Sequence, residues 1–201
     1  RKRLEALTPH WNGPTLVTPS STNALNMALE HTSKGKTLAV RIPCYFGVLR
    51  QAKALGIQVK QWENIEDLER IGHCDAILVT SNFSSPAGKS LSEAEKQKIA
   101  AYAKTNNAWV IEDNAYDPLW FEKPPTAIPA DSARHICIGS LTKILGPSYR
   151  LGFVRADEQV MESLRRASIT ANLSAPPLEQ VVAREGLTEA HMEKLRDTLH
   201  E

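Results

Sequence analysis

Short apolar runs alternate with amphipathic stretches along this sequence, and that alternation constrains the fold more than any other feature. Residues 76–80 (AILVT), 108–112 (AWVIE) and 135–139 (HICIG) are apolar almost throughout. Runs this short and continuous suit strands buried on both faces, as in a parallel sheet. Residues 37–42 (TLAVRI), 57–62 (IQVKQW) and 151–155 complete the predicted strands. Helical patterns fall between them. Residues 22–31 follow a small, polar turn, Thr18-Pro19-Ser20-Ser21. Residues 45–55 end at Gly56, the residue type that closes helices most easily. Residues 92–104 open with a capping box, Ser92 followed three residues on by Glu95. Residues 157–167 are helical as well. The order predicts an α/β fold, a three-layer α/β/α domain on a mostly parallel sheet. Lys123-Pro124-Pro125 through Pro129 reads as a loop within that domain, and Pro176-Pro177 as the start or kink of a helix.

Composition removes several function classes. The formal net charge is +1, which points to neither nucleic acid nor a membrane surface. No apolar run approaches the roughly 20 residues that span a bilayer. Arg1-Lys2-Arg3-Leu4-Glu5 has no apolar stretch behind it and does not read as a signal peptide. Cys44, Cys74 and Cys137 are odd in number and far apart, as free thiols in a reducing cytoplasm would be. The histidines form no HExxH or CxxC-type cluster, so no metal site is expected. Neither G-x-G-x-x-G nor G-x-x-x-x-G-K-[ST] occurs, which argues against a nucleotide-binding α/β domain.

Chemistry concentrates in three segments. Glu112-Asp113-Asn114-Ala115-Tyr116 follows one predicted strand and Gly139-Ser140-Leu141-Thr142-Lys143 follows another. Gly146-Pro147-Ser148-Tyr149-Arg150-Leu151-Gly152 comes shortly after. Ligands of α/β sheets bind at the carboxyl ends of strands, where these segments fall. Taken singly, each residue has a commoner use. Most lysines are solvated, an aspartate in a loop usually caps a helix, and Ser20-Ser21-Thr22 is simply a good helix start. Their joint order is the signal.

That order resembles the fold-type I, class I/II aminotransferases that use pyridoxal 5'-phosphate (PLP). D-x-A-Y appears as Asp113 to Tyr116, S-x-x-K as Ser140 to Lys143, and R-[LV]-G as Arg150 to Gly152. The resemblance implies that Lys143 carries PLP as a Schiff base. It gives Asp113 to the pyridine nitrogen, Tyr116 to the ring oxygen, and Ser140 and Arg150 to the phosphate. Upstream, TPSSTNAL from Thr18 resembles the family's phosphate turn, with Ser20, Ser21 and Thr22 meeting the phosphate. RIPCYFG from Arg41 resembles E-x-P-x-Y-x-G, with Tyr45 stacking on the ring. Two positions depart from the pattern. Ser20 stands where the family has glycine, and Ser85, at the start of S-P-A-G, where it has asparagine.

Similar replacements of that asparagine occur in the aminotransferase-like domains of MocR-type transcriptional regulators. The resemblance therefore implies an enzyme moving an amino group between an amino acid and a 2-oxo acid. An effector domain of such a regulator is the alternative. It also implies a cytoplasmic homodimer, with no membrane partner and no nucleic-acid contact from this chain itself. The sequence opens without methionine, and residues 188–201 read as an amphipathic helix that stops without a partner. A fragment lacking the C-terminal small domain is therefore expected. Residues 1–177 would form part of the PLP-binding large domain, and residues 178–201 would start a helix toward the small one.

Overall fold

The computed structural model describes residues 4–5, 8–11 and 13–200. Arg1-Lys2-Arg3, read above as unlike a signal peptide, and Glu201 lie outside the described residues. Among the described residues, seven strands form one sheet: β1 (Thr15–Thr18), β2 (Thr37–Arg41), β3 (Gln58–Trp62), β4 (Ala76–Val79), β5 (Trp109–Asp113), β6 (His135–Ser140) and β7 (Gly152–Ala156). Their order across the sheet is β1-β7-β6-β5-β4-β2-β3. Pairing is parallel from β3 to β6, and β7 runs antiparallel to both of its neighbours. The expected mostly parallel α/β sheet is therefore the observed one.

Helices cover both faces. They are α1 (Ser21–Ser33), α2 (Gly47–Ala54), α3 (Asp67–Arg70), α4 (Glu93–Asn106), α5 (Thr142–Leu145), α6 (Glu158–Asn172), α7 (Pro177–Gly186) and α8 (Glu189–His200). Strand side chains alternate between faces, so each strand feeds two cores. Leu78, Ile111, Ile136 and Ile138 pack with α1, α2 and α6. Ile77, Val79 and Val110 pack on the other face with Leu68, Ile99 and Ala103 of α3 and α4. A third cluster joins Cys137, Leu141, Ile144 and Phe153 to Ala183, Leu187 and Met192.

The caps explain where helices begin. Ser92 and Glu95 form the expected capping box at α4, and Asp157 caps α6 through the backbone N–H of Gln159. Gly56 sits at φ +66° just beyond α2. Two expectations need correction. Residues 15–18 were not among the predicted strands, and Thr18 was placed in a turn, yet they form β1 against β7. The terminal helix is not without a partner: fully buried Met192 packs into the third cluster. Pro177 opens α7, which ends at Gly186, and a separate helix, α8, starts at Glu189.

Candidate functional site

A cavity of about 280 Å³ opens at the carboxyl ends of β4, β5 and β6, beside the start of α1. Its wall contains Ser21, Thr22, Tyr45, Ser85, Asp113, Tyr116, Ser140, Lys143 and Arg150. These are all of the site residues proposed from sequence except Ser20.

Local structure places each group. Asp113 and Ser140 end their strands on the same sheet face as Ile111, Ile136 and Ile138. Lys143 lies in the four-residue α5, with its Nζ 5.2 Å from the centre of the Tyr116 ring. The chain then turns at Gly146, φ +102°, and brings Arg150 back to the cavity. Gly152 pairs with Ser140 on one side and Thr18 on the other. A Cβ at Gly152 would lie 2.2 Å from the backbone nitrogen of Ser21, so only glycine lets α1 start this close to the sheet. A Cβ at Gly47 would likewise lie 2.2 Å from the ring of Tyr45, which folds back over the start of α2.

The N-terminus of α1 faces the same cavity. The first N–H groups of a helix have no partner within it and favour an anion. Ser20 itself is the N-cap, and its hydroxyl accepts from the N–H of Asn23 at 3.0 Å. That hydroxyl is committed to the helix, while Ser21 and Thr22 line the wall. The backbone of Ser20 is extended, φ −171°, so the position requires no glycine.

Asp113 is the electrostatic centre. Its Oδ1 is buried and has no hydrogen-bond partner. Burial, and then the nearby Asp117 carboxylate, push its pKa from 3.8 to about 6. A buried carboxylate without a partner is costly unless a ligand supplies one. Asp117 is raised to about 6 as well, chiefly by burial, although His10 bonds it at 2.8 Å.

Thr80, Leu25, Ala115 and Thr142 also line the cavity and were not proposed. Thr80 closes the predicted strand at 76–80 and follows the observed β4, so the strand-end rule could have found it. Elsewhere, Glu112, His135 and Cys137 bring three ligand-type atoms within 4.8 Å of one another. The Glu112 carboxylate, however, already accepts from Ser81, Asn114, Ile128 and His135. Burial, then the carboxylates of Glu112 and Asp117, push the Cys137 thiol well up, away from the thiolate that metals bind. This cluster is a closed hydrogen-bonded network.

Residues 5–201 match the family model for aminotransferase class I and II. The chain belongs to that family. Curated relatives include the HTH-type transcriptional regulator NorG of Staphylococcus aureus, 30% identical over 62% of this chain and 29% of its own length. Another is the uncharacterized HTH-type transcriptional regulator YdcR of Escherichia coli, 29% identical over 92% of this chain and 43% of its own. The chain thus spans less than half of these relatives. Among solved structures, LysN, the α-aminoadipate aminotransferase of Thermus thermophilus, superposes with a TM-score of 0.83 at 22% identity, covering 91% of this chain and 52% of that one. That enzyme was solved with N-(5'-phosphopyridoxyl)-L-leucine.

The residues fit PLP. Asp113 offers an unpartnered buried oxygen where a pyridinium N–H could donate. Lys143 supplies an amine in the same cavity, and Arg150 with the start of α1 supplies donors for a phosphate.

Proposed function

We propose that this chain is the cofactor-binding core of a PLP-dependent aminotransferase acting between an amino acid and a 2-oxo acid. The observation that carries the reading is the unpartnered Oδ1 of Asp113 in the cavity that also holds Lys143. When bound, PLP draws electrons from the substrate α-carbon through its protonated ring. Asp113 keeps the proton on the ring nitrogen, because an adjacent negative charge favours the cationic form. Lys143 Nζ would hold the cofactor covalently and would be the group that moves a proton at the substrate α-carbon. Tyr116 donates to the ring oxygen, and Tyr45 covers the ring face. Arg150, Ser140 and the N–H groups of Ser21 and Thr22 hold the phosphate. Ser85 also lines the cavity wall.

The same reading includes a homodimeric, cytoplasmic parent protein and a further domain beyond the large one. Among the described residues, no helix is long and apolar enough to cross a membrane. The test is direct. The chain is incubated with PLP, reduced with borohydride and mapped by peptide mass spectrometry. The adduct should lie on Lys143; an adduct on another lysine, or none, refutes the assignment.

A second reading has a specific basis, because NorG and YdcR carry the names of transcriptional regulators. In it the same cavity holds PLP as an effector site. An amino-acid donor that converts the bound cofactor at a catalytic rate in the full-length protein favours the enzyme. A PLP-dependent change in DNA affinity without turnover favours the regulator.

A further inference from the structure

The side chains before and after Asp113 point to the opposite face of β5, and both belong to one buried network. Glu112, Asn114 and Ser81 are all fully buried. The Glu112 carboxylate accepts from His135 Nε2 at 2.7 Å, from the N–H of Ile128 at 2.9 Å, from Asn114 Nδ2 at 3.1 Å and from Ser81 Oγ. Asn114 Oδ1 in turn accepts the N–H of Ser81 at 2.9 Å. The end of β5 is thereby tied at two positions to β6, to the loop after β4 and to the proline-rich loop. None of these bonds uses the side chain of Asp113, whose Oδ1 stays unpartnered. A network that fixes both flanking residues fixes the direction of the carboxylate between them, and leaves its oxygen available to a ligand.

We propose that Glu112 is a positioning residue, which aims Asp113 at the pyridine nitrogen of PLP through its bonds to Ser81, Asn114 and His135. The inference rests on the PLP reading above. It differs from a purely structural role in one observable. Misaiming Asp113 weakens its hold on the ring proton even when the cofactor stays bound.

The experiment uses the whole chain saturated with PLP that is isotope-labelled at the pyridine nitrogen, followed by NMR across a pH titration. In the wild type that nitrogen should stay protonated well above the pH at which free PLP loses its proton. In Glu112→Gln its apparent pKa should fall by about one unit, a tenfold loss of proton affinity. Ser81→Ala, which removes a single donor, should move it in the same direction by less. Ile99→Val, in the core under α4 and outside the network, should lower stability and leave the nitrogen unmoved. A nitrogen that titrates as in the wild type in Glu112→Gln overturns the proposal. If that variant does not fold, Ser81→Ala decides by the same criterion. Borohydride trapping on wild-type Lys143 is run first. Its failure removes the PLP reading, and the proposal with it, whereas trapping with an unmoved nitrogen in the variants removes only the role of Glu112.

Discussion

Glu112 and Asp113 are consecutive carboxylates on one strand, and the sheet treats them in opposite ways. Glu112 faces the helix layer of α3 and α4 and is met by four donors. Asp113 faces the cavity and keeps an oxygen with none. Burial pushes both acids up. At Glu112 the hydrogen bond and charge of His135, with Ser81 and Ile128, pull the pKa back below its usual value. At Asp113 nothing offsets burial, and the pKa rises to about 6. Both groups are buried polar atoms, so burial alone does not mark function. A missing partner on a cavity wall that also holds Lys143 and Arg150 does. One face of β5 is built for stability and the other for a ligand, and substitutions should separate along that line.

Replacing Lys143 should produce the largest effect on the ligand side. Lys143→Ala should lose the borohydride-stable adduct completely. Lys143 is solvent-exposed and lies in a four-residue helix, so the melting temperature without PLP should barely move. A large drop in that temperature would mean that Lys143 belongs to the structural side.

Glu112→Ala should give the reverse pattern. It strands the donors of Ser81, Asn114, Ile128 and His135 in the interior, and breaking a buried pair typically costs about 3–5 kcal/mol. Chemical denaturation of the PLP-free chain would measure the loss. A cost below about 1 kcal/mol, the scale of an exposed contact, would erase the distinction between the two faces.

The pH dependence should differ in sign between the two neighbours. Asp113 is raised from 3.8 to about 6. Below the lower value both folded and unfolded chains hold its proton, and it has no effect on stability. As pH rises from 3.8 to about 6, the unfolded chain ionises first and stability falls; above that the penalty is constant. Asp113→Asn should therefore stabilise the PLP-free chain at neutral pH by roughly 2–3 kcal/mol, given ~1.4 kcal/mol per pKa unit. That gain should vanish near the unfolded value. Glu112, lowered below its usual 4.5, stabilises above that value and loses its contribution as pH falls. Denaturation curves of both variants over this range would show opposite slopes. With PLP present, Asp113→Asn should instead weaken binding, because the ring nitrogen loses its counter-charge.

How much of this division was legible in the sequence depends on the range of the interactions involved. The strands at 76–80, 108–112 and 135–139 could be read because strands buried on both faces leave continuous apolar runs. Asp113, Ser140 and Lys143 could be read because strand ends and a fixed spacing place them together. β1 could not, since Thr15–Thr18 mixes threonines with two apolar residues and gains its identity only by pairing with β7, far along the chain. The partner of α8 was hidden for the same reason: Met192 joins the cluster of Ile144 and Phe153 only in three dimensions. The Glu112 network needs the register that sets Glu112 opposite Cys137 and His135 opposite Val110, and no local pattern encodes register.

Arg150→Lys tests the ligand side more finely. It keeps the charge and loses the planar fork that can grip two phosphate oxygens. PLP affinity should fall about tenfold, near 1.4 kcal/mol, with thermal stability unchanged. An unchanged dissociation constant would place Arg150 outside the phosphate site.

The smallest expected effect concerns Ser20, where the two sides meet. Its hydroxyl caps α1 through Asn23, while the N–H groups just beyond it face the cavity. If the side chain serves only the helix, Ser20→Ala should cost about 1 kcal/mol of stability, the usual value of an N-cap. PLP affinity should change less than about twofold, because the donors offered to the phosphate are backbone groups of Ser21 and Thr22. Ser20→Gly restores the residue of the family pattern. The backbone here is extended at φ −171°, so glycine relieves no strain. As an N-cap it falls only a few tenths of a kcal/mol short of serine. The order of stability should thus be serine, glycine, alanine, at nearly constant affinity. Isothermal titration with PLP, beside thermal melts of the three proteins, reads both axes at once. A tenfold loss of affinity in Ser20→Ala would show that the hydroxyl leaves Asn23 to bind the phosphate, and would move Ser20 from the structural side of the molecule to the ligand side.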